Sequence, residues 1–309
     1  MDMKNLSNKQ ILITGTVAFD DIETPTGSSG KIIGGAGTYI ALAASIFSEK
    51  ISLVSVIGDD FLREDIKMLQ SKNINTDMIE RISGEKSFYW KGKYHSNFKT
   101  RDTLVTELNA LEKFNPILNQ SSKKAQIIVL GNLHSSVQLS VLDQLESNNN
   151  FVILDTMNFW MDTARDQLNK AINKTDLFVI NDEEAEQLTG QANLEKASDI
   201  ILKMGPKTVI IKKGDKGSEI FNEKESFHIP AYSVKSVVDP TGAGDCFAGG
   251  LAGYLSTQDV IDFNSIKKSM IFGSIAASYC VEDFGVIGVQ NLDFSDIQKR
   301  IEIFKPYLV

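Results

Sequence analysis

Short apolar runs alternate with segments of helical periodicity through most of the chain. Continuous apolar runs of strand length lie at residues 11–14, 51–57, 127–130, 151–154, 177–180 and 208–211. The segments between them predict helices at 38–47, 61–72, 137–146, 164–173, 182–189 and 194–204. This alternation predicts an α/β fold with a mostly parallel sheet that helices flank on both faces. A ligand then binds beyond the carboxyl ends of the strands.

Two regions interrupt the strand–helix alternation. Residues 21–33 are polar and rich in Gly, Ser and Thr, and residues 76–108 carry short strand-like runs at 87–90 and 103–105. Both regions follow early strands of the expected core. We therefore expect a small second sheet over the ligand side of a single domain that spans residues 1–309.

Composition and charge narrow the classes of function. The chain has 309 residues, is 42% hydrophobic and 23% charged, and carries a formal net charge of −8. A negative chain of this kind is a poor binder of nucleic acid or of an anionic membrane surface. Its two cysteines, Cys246 and Cys280, form no metal-binding or redox motif, and no signal peptide or membrane span is evident. The expected location is the cytoplasm.

The strongest chemical signal is at residues 239–245, which read D-P-T-G-A-G-D. An apolar run precedes them, and a helix-compatible segment rich in small residues follows. Glycines at a helix start let backbone N–H groups converge on an anion. The carboxylate of Asp245 would repel that anion unless it acts on a neutral hydroxyl beside it. The alternative is a Gly-rich turn in which Asp245 only caps the helix.

This run resembles the C-terminal signature of the PfkB, or ribokinase-like, family of carbohydrate and nucleoside kinases. The resemblance implies a ribokinase-like α/β fold with a small β-sheet lid, formed here by residues of about 21–33 and 76–108. It also implies ATP and Mg²⁺. The base that deprotonates the acceptor hydroxyl would be Asp245, and the anion hole would be formed by Gly242, Ala243 and Gly244.

Two N-terminal segments extend the resemblance to the acceptor side. In the family pattern, the acid five residues after the glycine of the first strand binds substrate hydroxyls, and this position is Asp20. The adjacent Asp21 is the alternative. Gly34 and Gly35 resemble the double glycine that lines the substrate pocket, although close packing of a helix on the sheet would also require glycine. Many sugar kinases of the family have asparagine where this chain has Tyr39, so the resemblance does not specify ribose.

Residues 181–184 match the N-x-x-E motif of the family. The resemblance places Asn181 at the nucleotide phosphates and Glu184 at Mg²⁺, through water, because this ion retains several of its waters. The same pattern also describes a helix N-cap followed by acidic residues that complement the helix dipole.

Residues 212–217 resemble the nucleotide loop of the family. The expected nucleotide contacts are Lys212, Gly214 and Gly217, although a threonine is often found at the position of Lys212. The alternative is a basic hairpin turn. Thr241 is expected beside the nucleotide, and Asp239 could support a monovalent cation such as K⁺.

Polar residues follow two further strands. The stretch from Asp155 to Asn158 approaches a D-x-N arrangement of the family but differs in spacing, so no role is assigned to it. Asn132 and His134 could reach the substrate or could cap local structure. Aromatic residues of the expected lid more often form a small core or an interface, but one that faced the pocket would favour a nucleoside.

Competing phosphate-binding motifs are absent from the sequence. There is no Walker loop, and Phe247 occupies the position at which a dinucleotide fingerprint needs a small residue. The first hypothesis is therefore an ATP-dependent kinase of a small sugar or polyol, with a nucleoside kinase as the alternative. A non-catalytic nucleotide- or sugar-binding regulator on the same fold is a third. Pairing of two lids would make a homodimer.

Overall fold

A computed structural model of the chain describes residues 9–146 and 149–308. Its strands are β1 (Ile11–Thr14), β2 (Ala18–Thr24), β3 (Gly27–Gly34), β4 (Ile51–Ile57), β5 (Ile74–Asn75), β6 (Ile79–Arg81), β7 (Tyr89–Tyr94), β8 (Arg101–Glu107), β9 (Ile127–Leu130), β10 (Phe151–Asp155), β11 (Leu177–Asn181), β12 (Thr208–Lys212), β13 (Ser218–Phe221) and β14 (Ser226–Ile229).

The α-helices are α1 (Ala36–Ser45), α2 (Arg63–Gln70), α3 (Ser135–Asp143), α4 (Asn158–Thr163), α5 (Arg165–Asn173), α6 (Asp182–Thr189), α7 (Leu194–Leu202), α8 (Ala243–Ser256), α9 (Phe263–Cys280), α10 (Ile287–Gln290) and α11 (Phe294–Ile301). Short 3₁₀ turns lie at Asn109–Lys113, Ser122–Lys124, Gly214–Lys216 and Glu302–Tyr307.

The large sheet has the strand order β14-β13-β12-β11-β10-β9-β1-β4-β5, and β6 also pairs with β4. Its pairs are parallel from β12 through to β5, whereas β13 and β14 return as antiparallel strands at one edge. The apolar runs thus form the central strands that the sequence predicts. Because the strands are parallel, their carboxyl ends meet at one edge, where polar residues follow β1, β10, β11 and β12.

Helices cover both faces of the large sheet. Side chains of β1 alternate between the faces: Ile11 and Ile13 pack into a cluster with α1, α8 and α9, whereas Leu12 packs into a cluster with α3, α5, α6 and α7. The expected three-layer α/β fold is confirmed. None of the helices in the described residues combines the length and apolar character that crossing a bilayer requires.

The small sheet has the order β3-β2-β7-β8. It begins earlier than the polar segment at 21–33, because the buried Ala18 and Phe19 already belong to β2. Within the expected segment 76–108, β6 pairs instead with β4 of the large sheet, because Ile79 packs against the main core. Only β7 and β8 of that segment therefore join the small sheet. Its action as a lid stays a prediction.

Candidate active site

Charged side chains converge where the carboxyl ends of the strands meet the start of α8. Asp155 ends β10, Lys212 ends β12, and Asp20 lies in β2 just beyond β1. Glu184 lies on the first turn of α6, and Asp245 lies on the first turn of α8. The structure thus brings together residues from widely separated parts of the chain.

Asp245 combines burial with an unused hydrogen-bonding atom. Its Oδ1 is buried and has no hydrogen-bond partner within residues 9–146 and 149–308. Burial raises the pKa of Asp245 to about 8, repulsion from Asp155 and Asp20 adds to the rise, and attraction to Lys212 opposes it. A buried polar atom without a partner is costly in a folded protein. This carboxyl is therefore suited to receive a hydrogen bond from a ligand hydroxyl.

The turn before α8 holds backbone N–H groups at the helix start. Gly242 has a left-handed conformation, with φ of 77°. The first N–H groups of a helix lack acceptors within the helix, and the helix dipole makes their surroundings positive. Ala243 N–H already donates to the carbonyl of Pro240 over 3.3 Å. Its role in the anion hole, and those of Gly242 and Gly244, stay predictions.

Hydrogen bonds to the buried Asp239 fix the segment that leads into this turn. The carboxylate of Asp239 accepts from Thr241 N–H over 2.8 Å and from Gly285 N–H over 3.1 Å. The side chain of Thr241 contacts Tyr94 of β7, with 3.2 Å between the hydroxyl oxygens. The turn is therefore tied both to the loop after α9 and to the small sheet.

Tyr39 lies beneath the turn rather than on its open side. A Cβ atom on Gly242 would come within 2.5 Å of the Tyr39 ring, and only 1% of Tyr39 is exposed. Its hydroxyl is buried and has no hydrogen-bond partner among the described residues. Burial raises the pKa of Tyr39 well above its ordinary value, so the hydroxyl remains protonated. A direct contact between Tyr39 and substrate stays a prediction.

Asp20 occupies space that the double glycine leaves open. A Cβ atom on Gly34 would lie 1.9 Å from its Oδ2, and that oxygen accepts from Gly35 N–H over 3.4 Å. Burial raises the pKa of Asp20 to about 7, with Gly35 opposing the rise and Asp239 adding to it. Asp21 contacts Tyr89 and Lys91 on the small sheet instead. The geometry favours Asp20 over Asp21 as the acid that faces the site.

The N-x-x-E segment forms a reciprocal helix cap. Asn181 Oδ1 accepts from Glu184 N–H over 2.8 Å, and Glu184 Oε2 accepts from Asn181 N–H over 2.9 Å. Burial raises the pKa of Glu184 to about 7, and Lys212 opposes this rise. The capping alternative thus describes the local geometry, and it leaves the second oxygen of Glu184 available.

The donor set at Glu184 fits a hydrated magnesium ion. No group of three or more His, Cys, Asp or Glu side chains that could hold a metal occurs in the part of the chain that the structure describes. Mg²⁺ bound with a nucleotide takes one or two carboxylates, phosphate oxygens and waters, and needs no complete protein cage. Glu184 supplies one carboxylate, and its Oε1 lies outside the reciprocal cap. The residues present are therefore compatible with such an ion.

Lys212 is the cation at the centre of these acids. Its Nζ lies 3.2 Å from Asp155 Oδ1, and only 16% of the lysine side chain and 7% of the aspartate side chain are exposed. Burial lowers the pKa of Lys212, but attraction by Asp155, Glu184 and Asp245 outweighs this effect, so the net pKa lies above its ordinary value. The site therefore holds a protonated lysine among carboxyl groups.

The nucleotide-loop segment forms a short 3₁₀ turn at Gly214–Lys216. Gly214 and Gly217 both have positive φ angles, which places them where glycine is favoured. The turn also meets the small sheet, because Lys99 Nζ lies 3.0 Å from Asp215 Oδ1. Both side chains are exposed, so this ion pair contributes little to stability. Nucleotide contacts by Gly214 and Gly217 stay predictions.

Comparison with known sequences decides the family. The sequence model of the pfkB family of carbohydrate kinases matches residues 12–291, which include every motif described above. The chain belongs to the pfkB family. Members of this family are phosphotransferases that use a hydroxyl group as acceptor.

Individual pfkB-family relatives differ in the acceptor that their names give. The chain is 29% identical to a cytidine kinase of Thermococcus kodakarensis over 79% of this chain and 88% of the relative. It is 26% identical to a deoxyribokinase of Salmonella typhi over 84% of this chain and 85% of the relative. The relatives thus include kinases named for a nucleoside and for a sugar.

A solved structure of a ribokinase fold has the same architecture. A putative ribokinase II from E. coli, solved in complex with ATP and Mg²⁺, superposes with a TM-score of 0.79 at 19% identity, over 96% of this chain and 99% of that one. At this identity, the likeness supports the fold alone. The ribokinase-like fold implied by the motifs is confirmed.

The pfkB-type motifs did not identify every charged residue at the site. Arg101 of β8 lowers the pKa of Asp245, and its guanidinium lies 5.9 Å from the Trp90 ring. Asp155 pairs with Lys212, although no role followed for it from its sequence motif. An acid at a strand end was a usable signal for Asp155. No local pattern marked Arg101, because β8 is an exposed polar strand.

Asn132 and His134 have local partners in the structure. Asn132 Oδ1 accepts from Trp160 Nε1 over 2.7 Å, and its amide contacts Met157 Sδ over 3.0 Å. His134 is the N-cap of α3 and accepts from Ser136 N–H over 3.2 Å. The local interpretation of both residues accounts for these contacts.

Proposed function

We propose that the protein transfers the γ-phosphoryl group of ATP to a hydroxyl of a small sugar or polyol. The observation that carries this proposal is the buried, unpartnered Oδ1 of Asp245 beside the glycine turn at the start of α8. An acid at this place is unfavourable for anion binding alone, but it is suited to accept the proton of an attacking hydroxyl.

The proposed step is an in-line displacement. The acceptor oxygen forms a bond to the γ-phosphorus while its proton passes to Asp245. The bond from that phosphorus to the β–γ bridging oxygen breaks, and ADP leaves with the electron pair. The N–H groups of Gly242, Ala243 and Gly244 stabilise negative charge on the transferring group. Ala243 N–H gives up its long contact with Pro240 to do so.

The nucleotide side uses residues at the ends of β11 and β12. In this proposal Lys212, Gly214 and Gly217 contact the nucleotide, and Thr241 lies beside it. Asn181 holds Glu184 in place through the reciprocal cap and lies next to the phosphates. Mg²⁺ held near Glu184 through water would neutralise phosphate charge.

The acceptor side lies beneath the small sheet. Asp20, with Gly34 and Gly35, orients acceptor hydroxyls, and Tyr39 supports the pocket floor. The contacts of Thr241 with Tyr94, and of Asp215 with Lys99, connect the small sheet to the turn before α8 and to the nucleotide-loop segment. Closure of this lid would exclude water and suppress hydrolysis of ATP.

A nucleoside is the second candidate acceptor, and Trp90 favours it. Trp90 pairs in register with Asp20 across β2 and β7, so the two side chains lie on the same face of the small sheet. If Asp20 orients the acceptor, the half-buried indole of Trp90 lies above the acceptor region. An aromatic ring there can stack on a base, a contact worth about 1–3 kcal/mol per base.

Two further features belong to the proposal. A monovalent cation near Asp239 would order the turn, and rates in K⁺ should then exceed those in a large organic cation. Equal rates would contradict this cation site. A homodimer through the small sheet would cover β8, whose Leu104 is 49% exposed. A monomeric mass in solution would exclude the dimer.

The experiment that tests the function is an ADP-release assay with Mg²⁺ and ATP over hexoses, pentoses, polyols and nucleosides. We expect ADP release that depends on one acceptor class, and a phosphorylated acceptor in the product. A Trp90→Ala variant should lose most affinity for a nucleoside and little for a free sugar. Absence of ATP consumption over the whole panel would favour a non-catalytic binding protein.

A further inference from the structure

The side chain of Lys212 crosses the edge of the large sheet. Lys212 ends β12 in register with Asn181 of β11, yet its ammonium pairs with Asp155 of β10. Neighbouring strands lie about 4.8 Å apart, so the lysine side chain passes over the end of β11 to reach β10. Its charge is therefore placed at the centre of the site rather than on the outer strand.

The same ammonium lies against the first turn of α8. A Cβ atom on Gly244 would come within 2.9 Å of Lys212 Nζ. A helix start carries partial positive charge, so a cation is unfavourable there unless acids surround it. Asp155, Glu184 and Asp245 supply that negative charge. A phosphate that arrived at this turn would meet both the helix N–H groups and the ammonium.

We propose that Lys212 binds the γ-phosphate of ATP. Its ammonium leaves Asp155 and pairs with this phosphate when ATP binds. The inference rests on the proposed function and deepens it by naming one phosphate and a change of ion-pair partner. An ammonium has three donors on a flexible stem, so a small rotation moves it from Asp155 towards the turn. Asp155 is then its partner only in the free protein.

The exchange predicts opposite effects for the two members of the ion pair. Loss of Lys212 removes a charge-assisted contact to the phosphate. Loss of the Asp155 charge removes the competitor for the lysine and a repulsive charge near the phosphate. If Lys212 instead kept its ion pair with Asp155 while it bound the nucleotide, changing either side chain would weaken nucleotide binding.

The test compares ADP with AMP-PCP, a non-hydrolysable ATP analogue, by titration calorimetry in saturating Mg²⁺. AMP-PCP carries a terminal phosphonate group, joined through a methylene bridge, that ADP lacks. We expect Lys212→Met to weaken AMP-PCP binding by about tenfold or more, and ADP binding by less than about threefold. Asp155→Asn should strengthen AMP-PCP binding by about threefold. Lys207→Met removes the same charge at the opposite end of β12 and should change neither affinity.

A double variant tests whether Lys212→Met loses AMP-PCP binding only because an unpaired buried charge disturbs the fold. Lys212→Met combined with Asp155→Asn leaves no uncompensated buried charge from this pair, and it should still bind AMP-PCP more weakly than the wild-type protein. Equal losses for ADP and AMP-PCP in Lys212→Met would overturn the contact with the terminal phosphate. Weaker AMP-PCP binding by Asp155→Asn would overturn the exchange.

Different results would contradict the proposed function and this inference. A wild-type protein that binds neither nucleotide and phosphorylates no acceptor contradicts both. A wild-type protein that turns over an acceptor, with AMP-PCP affinity unchanged in Lys212→Met, contradicts the role of Lys212 alone.

Discussion

Acidic residues at the two ends of the parallel strands differ in whether all their oxygens have partners in the protein. At the amino end, Asp176 accepts from Val152 N–H over 3.0 Å and pairs with Lys207 over 2.8 Å. At the carboxyl end, Asp245 keeps a buried oxygen without a partner in the described residues, and its pKa is raised to about 8. Asp176 thus has protein partners at one end, whereas one oxygen of Asp245 has none among the described residues at the other.

This difference should make charged residues at the two ends contribute differently to stability. Exposed ion pairs at the amino end, such as Lys174 with Asp143, are screened by water and contribute little. The buried carboxyls at the opposite end interact with one another in surroundings of low polarity. Substitutions of the same kind at the two ends should therefore have different consequences.

The largest effect on folding should come from Gly242→Ala. The new Cβ atom would meet the Tyr39 ring at 2.5 Å, and alanine is strained at φ of 77°. We expect a loss of about 3 kcal/mol or more in the free energy of unfolding, together with loss of turnover. Denaturant titration and an ADP-release assay measure the two effects.

Gly190→Ala is the matched control for this substitution. Gly190 ends α6 with φ of 71°, and nothing lies within 4 Å of a Cβ atom placed there. The backbone strain is therefore similar without the ring contact, and we expect a loss of about 1 kcal/mol. Equal losses in the two variants would show that contact between Tyr39 and the turn has no energetic role.

The next largest effect on the free energy of unfolding should distinguish two lysines at opposite ends of β12. Lys212→Met leaves Asp155 buried without its partner and should lower the free energy of unfolding by about 2–3 kcal/mol. Lys207→Met removes a lysine whose side chain is 81% exposed, and the change should stay within about 0.5 kcal/mol. Denaturant titration of both variants measures the difference. Similar values would contradict the contrast between the two ends.

A smaller effect is expected in the pH dependence of stability. Burial raises the pKa of Asp20 to about 7 and of Asp245 to about 8, from 3.8 in both cases. Between these limits the folded protein holds protons that the unfolded chain has released, so stability falls as pH rises from about 4, and the fall ends at about pH 8. The Tm of the free protein should fall over this range.

Asp245→Asn should flatten that fall and should raise stability at pH 8 by about 1 kcal/mol or more. Asp143→Asn removes an exposed carboxylate at the amino end and should leave the slope of Tm against pH unchanged. The slopes are measured by thermal unfolding without nucleotide. An unchanged slope in Asp245→Asn would show that its carboxyl is not protonated in the folded protein.

The sequence predicts the core of this fold well because buried parallel strands are continuous apolar runs. The bounds expected for β1, β4 and β9 match those of the structure. The assignment of β6 was harder, because a three-residue strand carries too little pattern to show which sheet it joins. The earlier start of β2 has a similar cause, since the buried apolar residues 17–19 lead into β2 without a polar break.

Parts of the site could be predicted because motifs mark residues near turns in the chain. Asp245 and Glu184 lie on first helical turns, where spacing from glycine or asparagine identifies them. The pairing of Lys212 with Asp155 depends on the order of strands in the sheet, which no local pattern contains. The position of Arg101 depends on how the small sheet lies against the large one.

The most direct test of the account is the turnover of Asp245→Asn with the acceptor that the wild-type protein phosphorylates. Asparagine preserves the shape of the side chain but cannot take the proton of the acceptor hydroxyl. We predict that kcat falls by about 10²–10⁴-fold while the affinity for AMP-PCP is retained. A variant that folds, binds the analogue and turns over within about threefold of the wild-type rate would contradict Asp245 as the base.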